Sequence, residues 1–175
     1  MERKTVVIAQ SDLERQKAVC EQIREYWLAQ GRTPLAFVDT YGCQQHEADS
    51  ARIRGMLQSC GYQLSDTEEG ADCIAINTRA TREHAETRVY GNVGALVHTK
   101  ARHPGQKIFL CGCMMGQPAV ADRIKKSYRH VDGVFNPHQL WRFPELLQFV
   151  LAHNKRIFAT DDSAGNIAEG LPVVR

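Results

Sequence analysis

Two cysteines are the residues of this chain best suited to chemistry. Cys43 and Cys113 each follow a glycine in a short segment, and Arg79 lies in a third such segment midway between them. Thiolates are soft, negatively charged ligands, and three converging thiolates suit an iron-sulfur cluster with one open iron or a zinc ion with one open site. Arginine cannot supply the third ligand, because its guanidinium stays protonated and has no free lone pair. The three positions therefore form an incomplete set of metal ligands.

The spacing of these positions indicates that they lie in equivalent loops. Position 79 follows position 43 by 36 residues, and position 113 follows position 79 by 34. Each interval has room for one helix and one strand. In a parallel sheet the loops that follow the strands lie at one edge, where such sheets form their sites. We therefore expect the side chains of Cys43, Arg79 and Cys113 to meet in a common pocket.

Short apolar runs alternate with amphipathic segments along most of the chain. The apolar runs predict strands at 35–38, 73–76, 108–111, 134–135 and 156–159. The amphipathic segments predict helices at 11–30, 47–60, 82–102, 118–128 and 140–153. This alternation predicts an α/β fold, a three-layer open sheet that is mostly parallel and has helices on both faces.

The sequence predicts one domain with a further segment on either side. Residues 1–33 are expected to form an N-terminal extension with a peripheral helix, which Ser11 caps and Gly31 ends. Residues 34–160 contain the strand-helix alternation and form the domain. Residues 161–175 are polar and rich in turn-forming residues, which is typical of a linker, so we expect the chain to be part of a longer protein.

Composition and charge exclude several classes of protein. The chain has 175 residues, 43% of them hydrophobic, which is enough for one buried core. Lys and Arg number 22 against 20 Asp and Glu, so the net charge of +2 does not indicate a dedicated nucleic-acid binder. No apolar run reaches the roughly 18 residues of a membrane helix, and the start has no secretory signal. The six cysteines are therefore expected to be reduced thiols in the cytoplasm.

Three motifs resemble those of the methylthiotransferase family, radical S-adenosylmethionine enzymes that insert sulfur and a methyl group into tRNA or a ribosomal protein. The N-terminal domain of that family has a Thr-x-Gly-Cys-Gln loop, an Asn-Thr-Cys loop followed by an Arg-Glu pair, and a Gly-Cys-Met loop. This chain has Thr40–Gln44, Asn77–Glu86 and Cys111–Met114 at those places. The resemblance covers about residues 36–175. It is strongest to the branch that makes 2-methylthio-N6-isopentenyladenosine in tRNA, beside the anticodon.

The resemblance implies a cofactor, partners and site residues. Three cysteines of such a domain hold an auxiliary [4Fe-4S] cluster that supplies or carries the sulfur, and Cys43 and Cys113 correspond to two of them. Arg79 occupies the third ligand position, so we expect the cluster to be held poorly here. The sequence has no Cys-x-x-x-Cys-x-x-Cys motif, which in the family binds the cluster that activates S-adenosylmethionine. We expect this chain alone to be inactive and its longer parent, with a radical S-adenosylmethionine domain in cis, to act on tRNA.

Three other hypotheses for the same residues stay open. His46 together with Cys43, Cys111 and Cys113 would give zinc ligands. Arg79 would instead bind an anion at a strand-to-helix loop. A metal-free domain would be a flavodoxin-like or phosphate-binding interaction module at the same sheet edge, although no glycine-rich phosphate fingerprint follows any strand.

The remaining candidates have structural explanations. Cys20, Cys60 and Cys73 fall on helix or strand positions that a core explains. Asn77 and Thr78 would serve either the site or the start of the following helix, where Thr78 is a suitable cap. Five basic residues are interpreted as a solvated face in preference to a tRNA track: Arg82, Arg88, Lys125, Lys126 and Arg129.

Overall fold

The chain folds around a sheet whose neighbouring strands run parallel to one another. The structure is a computed structural model that describes residues 9–41, 47–78 and 83–160. Its strands are β1 (Leu35–Tyr41), β2 (Gln63–Leu64), β3 (Cys73–Thr78), β4 (Lys107–Cys111), β5 (Gly133–Phe135) and β6 (Ile157–Ala159). Their order across the sheet is β2-β1-β3-β4-β5-β6, and each neighbouring pair is parallel.

Helices cover both faces of this sheet. They are α1 (Gln10–Ala29), α2 (Glu47–Ser59), α3 (Glu83–Arg102), α4 (Pro118–Ser127) and α5 (Phe143–His153), with 3₁₀ turns at Cys113–Gly116 and Pro137–Arg142. Helices α1, α2 and α5 contribute to the core on one face, and α3 and α4 to the core on the other. The predicted three-layer α/β fold is thus confirmed. None of the helices in the described ranges has the length and apolar character needed to cross a membrane.

The two core layers follow from the alternation of side chains along each strand. In β4, Ile108 and Leu110 pack with α3 and α4, whereas Phe109 and Cys111 pack with α1, α2 and α5. Strand β3 is buried along its whole length. A strand buried on both faces has a continuous apolar sequence, which is why the predicted strands were visible as apolar runs.

The N-terminal helix α1 contributes to the core and is not peripheral. Its buried face includes Val19, Ile23 and Trp27, which belong to the same apolar cluster as residues of α2 and α5. Its polar side also binds α5, since Arg15 Nε donates a hydrogen bond to Glu145 Oε1 over 2.6 Å. The helix is therefore attached to the sheet by both apolar packing and a charged contact.

Two helix starts differ from the sequence prediction. Helix α1 starts after Ala9, which makes no side-chain cap, so the expected cap by Ser11 is wrong. Helix α5 starts at Phe143 because Pro144, which has no N–H to donate, fits the first helical turn, and the residues before it form a 3₁₀ turn. The expected stop of α1 is confirmed, as Gly31 follows the helix with φ of +70°.

Two aspartates hold the edge of the sheet where the strands begin. Asp72 precedes β3, and its Oδ2 accepts a hydrogen bond from Leu35 N over 2.8 Å while Leu35 O accepts one from Asp72 N over 2.7 Å. Asp132 precedes β5 and makes the same two bonds with Ile108, each of 2.8 Å. Each aspartate thereby joins the start of its own strand to the start of a neighbour.

Asp72 is kept in its charged form although it is buried. Burial acts to raise its pKa, but hydrogen bonds from Arg32, the Leu35 N–H and His103 outweigh that effect, so the pKa of Asp72 lies below its ordinary value. A carboxylate with a depressed folded-state pKa stabilises the fold above its unfolded pKa of about 3.9. That stabilisation is lost as the pH falls through the folded-state pKa.

We predict that Asp72→Ala lowers the free energy of unfolding at pH 7 by about 2–4 kcal/mol, because Leu35 N and the neighbouring cations lose their buried acceptor. The difference from the unaltered chain should shrink as the pH falls from about 4 through the lower folded-state pKa of Asp72. Denaturant titration across pH 3–7 measures both effects. Glu69→Ala is the matched control, since Glu69 binds Arg102 in an exposed ion pair and should change stability little. Equal losses in the two variants would contradict the prediction.

Candidate metal centre at the carboxyl edge of the sheet

Strands β1, β3 and β4 are neighbours, and their carboxyl ends lie side by side. Tyr41 at the end of β1 pairs with Thr78 at the end of β3, and Asn77 pairs with Cys111 at the end of β4. The loops that leave these three ends carry positions 43, 79 and 113. All three loops therefore begin at the same level of one edge of the sheet.

Cys113 is exposed at this edge, where it begins the 3₁₀ turn after β4. The chain bends at Gly112, whose φ of +106° is a conformation that side chains disfavour. A Cβ atom added at Gly112 would lie 2.0 Å from Thr78 O and 2.8 Å from Asn77 Oδ1. Glycine is thus required twice over, by the bend and by the close approach of the β4 loop to the end of β3.

Buried and partly buried hydrogen bonds join the three strand ends. Thr78 Oγ1 donates to Cys111 O over 2.8 Å, which links β3 to β4. Ser50 Oγ of α2 accepts from Asn77 Nδ2 over 3.1 Å and lies 2.6 Å from Thr40 Oγ1, which links β3 to β1. Because buried polar groups are costly when unpaired, these bonds favour one relative position of the strand ends.

The hydrogen bonds give Asn77 and Thr78 structural roles. Thr78 donates its hydroxyl to Cys111 O and so bridges β3 and β4. Its expected role at the start of α3 stays a prediction, because residues 79–82 lie outside the described ranges. Ser50 was missed by the sequence analysis. Its signal is a polar residue on the apolar face of α2, in line with Ile53 and Leu57, where an unpaired hydroxyl would be unfavourable.

Cys111 is buried, in contrast to the exposed Cys113. Its thiol is buried on the α2 side of the sheet and donates to Ile76 O over 3.6 Å. Burial raises the pKa of Cys111, and Asp49 adds a smaller effect in the same direction. A buried thiol that stays protonated is a poor metal ligand, so the structure does not support Cys111 as part of a zinc site.

Cys43, His46 and Arg79 lie outside the described residues, so their placement stays a prediction. Strand β1 ends at Tyr41, two residues before Cys43, and β3 ends at Thr78, directly before Arg79. Within the described ranges, no three His, Cys, Asp or Glu side chains are grouped in a way that would hold a metal ion. Any metal site at this edge therefore depends on the loops at 43 and 79.

Tyr41 does not add an acid or base to this edge. Burial raises the pKa of Tyr41 to about 12, and the nearby Asp39 carboxylate contributes in the same direction. The phenol therefore stays protonated at neutral pH. Its ring packs against the core on the α3 and α4 face, which accounts for its position at the end of β1.

The predicted basic face is solvated where the structure describes it. The exposed members are Arg88, Lys125, Lys126 and Arg129, and Arg82 lies outside the described residues. Within the described ranges, none of these four forms an ion pair at the carboxyl edge. The interpretation as a solvated face is retained.

Comparison with known proteins places these motifs in context. The model of the uncharacterized protein family UPF0004 matches residues 36–136. A tRNA-2-methylthio-N(6)-dimethylallyladenosine synthase of Clostridioides difficile is 42% identical over 173 residues, covering 97% of this chain and 36% of the relative. Synthases of the same name from Alkaliphilus oremlandii and Acetivibrio thermocellus are 40% and 36% identical, over 99% of this chain and 36% and 37% of their own lengths. The chain thus spans about a third of the curated relatives it matches, and the resemblance seen in the motifs is confirmed.

We predict that Gly112→Ala lowers the free energy of unfolding by about 3 kcal/mol, from backbone strain and from the clash with Thr78 O. Gly116→Ala is the matched control in the same loop, since a Cβ there meets nothing within 4 Å. Its effect should stay below about 1 kcal/mol. Chemical denaturation of both variants makes the comparison, and a Gly112→Ala variant as stable as the control would contradict the close packing described above.

Cys113 and Cys111 should differ sharply in reactivity although one residue separates them. In the native chain, N-ethylmaleimide should modify the exposed Cys113 at least about tenfold faster than the buried Cys111. Tandem mass spectrometry distinguishes the two positions within one peptide, and denaturation should abolish the difference. Similar native rates would show that Cys111 reaches the edge, and would reopen the zinc hypothesis.

Proposed function

Since this chain belongs to the UPF0004 family, we propose that it is the auxiliary-cluster domain of a tRNA methylthiotransferase, the activity for which its relatives are named. The parent protein would add a methylthio group to isopentenyladenosine next to the anticodon of tRNA. The observation that carries the proposal is the common level of the β1, β3 and β4 ends, from which the three motif loops leave.

The proposal assigns roles to the motif residues. Cys43 and Cys113 are ligands of a [4Fe-4S] cluster, and Cys113 supports this assignment because its thiol is exposed at the carboxyl edge. In a complete domain of this kind, three thiolates hold the cluster and leave one iron open, and the cluster supplies or carries sulfur. The bonds among Thr40, Ser50 and Asn77 would hold two of the ligand loops in place.

The residues of this chain do not fit that cluster completely. The donor set consists of two thiols and one guanidinium, and Arg79 brings a fixed positive charge to a position that requires an anion. Cys111 does not replace the missing ligand, since its thiol is buried on the α2 side. We therefore propose that the chain as printed holds no stable cluster and does not itself carry out methylthiolation.

The proposed organisation follows the sequence segments. Residues 34–160 form the cluster domain, 161–175 lead to a radical S-adenosylmethionine domain in cis, and 1–33 extend the domain at its start. Helix α1 of that extension packs on α2 and α5, so it adds to the domain core. S-adenosylmethionine and tRNA are partners of the parent, which acts in the cytoplasm.

Restoring the third thiol tests the cluster assignment. After anaerobic reconstitution, Arg79→Cys should contain about four irons and four sulfides per chain and show a brown chromophore, while the unaltered chain should contain far less of either. Arg79→Ser is the matched control, because it removes the charge without adding a ligand and should stay without the cluster. Arg79→Cys combined with Cys113→Ser should lose it again. Absence of iron from Arg79→Cys would favour the metal-free interaction module.

A chimera tests the tRNA assignment separately. The chain is fused to the part of the Clostridioides difficile relative that it does not match, and the product is expressed in a host without the 2-methylthio modification. We expect mass spectrometry of tRNA nucleosides to show methylthiolated isopentenyladenosine with Arg79→Cys and only background with Arg79. Equal activity of the two chimeras would contradict the role given to position 79.

A further inference from the structure

A second group of cysteines lies in the core, away from the carboxyl edge. Cys20 of α1, Cys60 after α2 and Cys73 at the start of β3 belong to one buried apolar cluster. None of the three takes part in the proposed ligand set. Their position raises the question of whether any two of them are close enough to react with one another.

Helix α1 and the end of α2 approach each other closely beside Cys20 and Cys60. A Cβ atom added at Gly61, whose φ is +92°, would lie 3.4 Å from the Cα atom of Arg24. Arg24 Nη2 also donates to Gln58 O and Ser59 O, each over 3.2 Å. Cys20 lies one helical turn before Arg24 on the same face, and Cys60 directly precedes Gly61, so this contact brings the two thiols together.

The pKa values of the two thiols are shifted in opposite directions. A hydrogen bond from Cys60, with a smaller contribution from Arg24, lowers the pKa of Cys20 despite its burial. The contact with Cys20, together with burial, raises the pKa of Cys60. Cys20 is thus the thiol of the pair that loses its proton more readily. A thiolate beside a protonated thiol is the arrangement found in dithiols that exchange with disulfides.

Cys20 is largely buried, with 7% of its surface exposed, but it forms part of the wall of a groove. It lines an open groove of about 1470 Å³ between α1, α2 and the 3₁₀ turn at Pro137–Arg142. Arg24 and Ser59, from the contact described above, line the same groove. Cys73 is different, because it is a fully buried residue of strand β3 and its burial raises the pKa of its thiol.

We propose that Cys20 and Cys60 are a thiol modification site that closes into a disulfide on reaction with a low-molecular-weight disulfide such as oxidised glutathione. The Cys20 thiolate attacks one sulfur of the reagent, which forms a mixed disulfide and releases one glutathione thiolate. The Cys60 thiol then attacks the Cys20 sulfur and loses its proton to solvent. The second glutathione leaves as a thiolate, so the protein is oxidised by two electrons and one disulfide of the reagent is reduced to two thiols.

The disulfide would fix α1 to the end of α2. Helix α2 begins directly after the Cys43 loop and carries Ser50, which contacts Thr40 and Asn77 at the carboxyl edge. The modification thus acts on the helix that supports one of the ligand loops, although the chemistry of the pair is independent of any cluster.

Peptide mapping after incubation of the native full chain with oxidised glutathione tests the proposal. The expected product is a crosslink between the peptides that contain Cys20 and Cys60, reversed by reductant. It should raise the midpoint of thermal unfolding by about 5 °C or more, because it closes a long loop. Cys73→Ala is the matched control and should keep the crosslink, while Cys20→Ser and Cys60→Ser should each lose it. Circular dichroism of each variant checks that it is folded.

Other outcomes of the same map would overturn the proposal. One is glutathione attached to Cys113 with Cys20 and Cys60 still free in the folded chain. Another is a crosslink that joins Cys73 to either partner. Native maleimide labelling gives a second readout in the unaltered chain, where Cys20 should react about tenfold faster than Cys73. Equal rates of maleimide labelling at Cys20 and Cys73 would also contradict the proposed Cys20–Cys60 site.

Discussion

The parallel register of β1, β3 and β4 is the constraint on which the candidate site depends. Tyr41 pairs with Thr78 and Asn77 with Cys111, so the three strands end at one level. Any shift of one strand by a residue would move its loop along the edge and turn its side chains to the opposite core layer. The two apolar layers stabilise this register, because each layer buries only every second side chain of a strand.

The two edges of the sheet are held by different interactions. At the start of the strands, Asp72 and Asp132 use charged carboxylates to join neighbouring strands. At the carboxyl edge the bonds are neutral and come from Thr78 and Ser50, and Gly112 lets the β4 loop pack on β3. The bonds described at the carboxyl edge thus hold the strand ends without using a charged side chain.

Much of this fold was predictable from the sequence, because buried parallel strands give apolar runs and their helices give amphipathic segments. The motif around Cys113 was likewise visible as a short pattern. The bond between Ser50 and Asn77 was not, since it joins residues 27 positions apart whose pairing depends on how α2 packs. The position of α1 was not predictable either, because its apolar residues fit a peripheral helix as well as a core helix. The proximity of Cys20 and Cys60 also depends on tertiary packing.

The central claim is that positions 43, 79 and 113 share one pocket in which position 79 decides whether a cluster binds. The most direct measurement is an anaerobic crystal structure of the reconstituted Arg79→Cys chain, with anomalous scattering recorded at the iron absorption edge. We predict one iron peak at the carboxyl edge of β1, β3 and β4, within bonding distance of all three sulfur atoms. Iron bound elsewhere, or three cysteines directed to separate places, would contradict it.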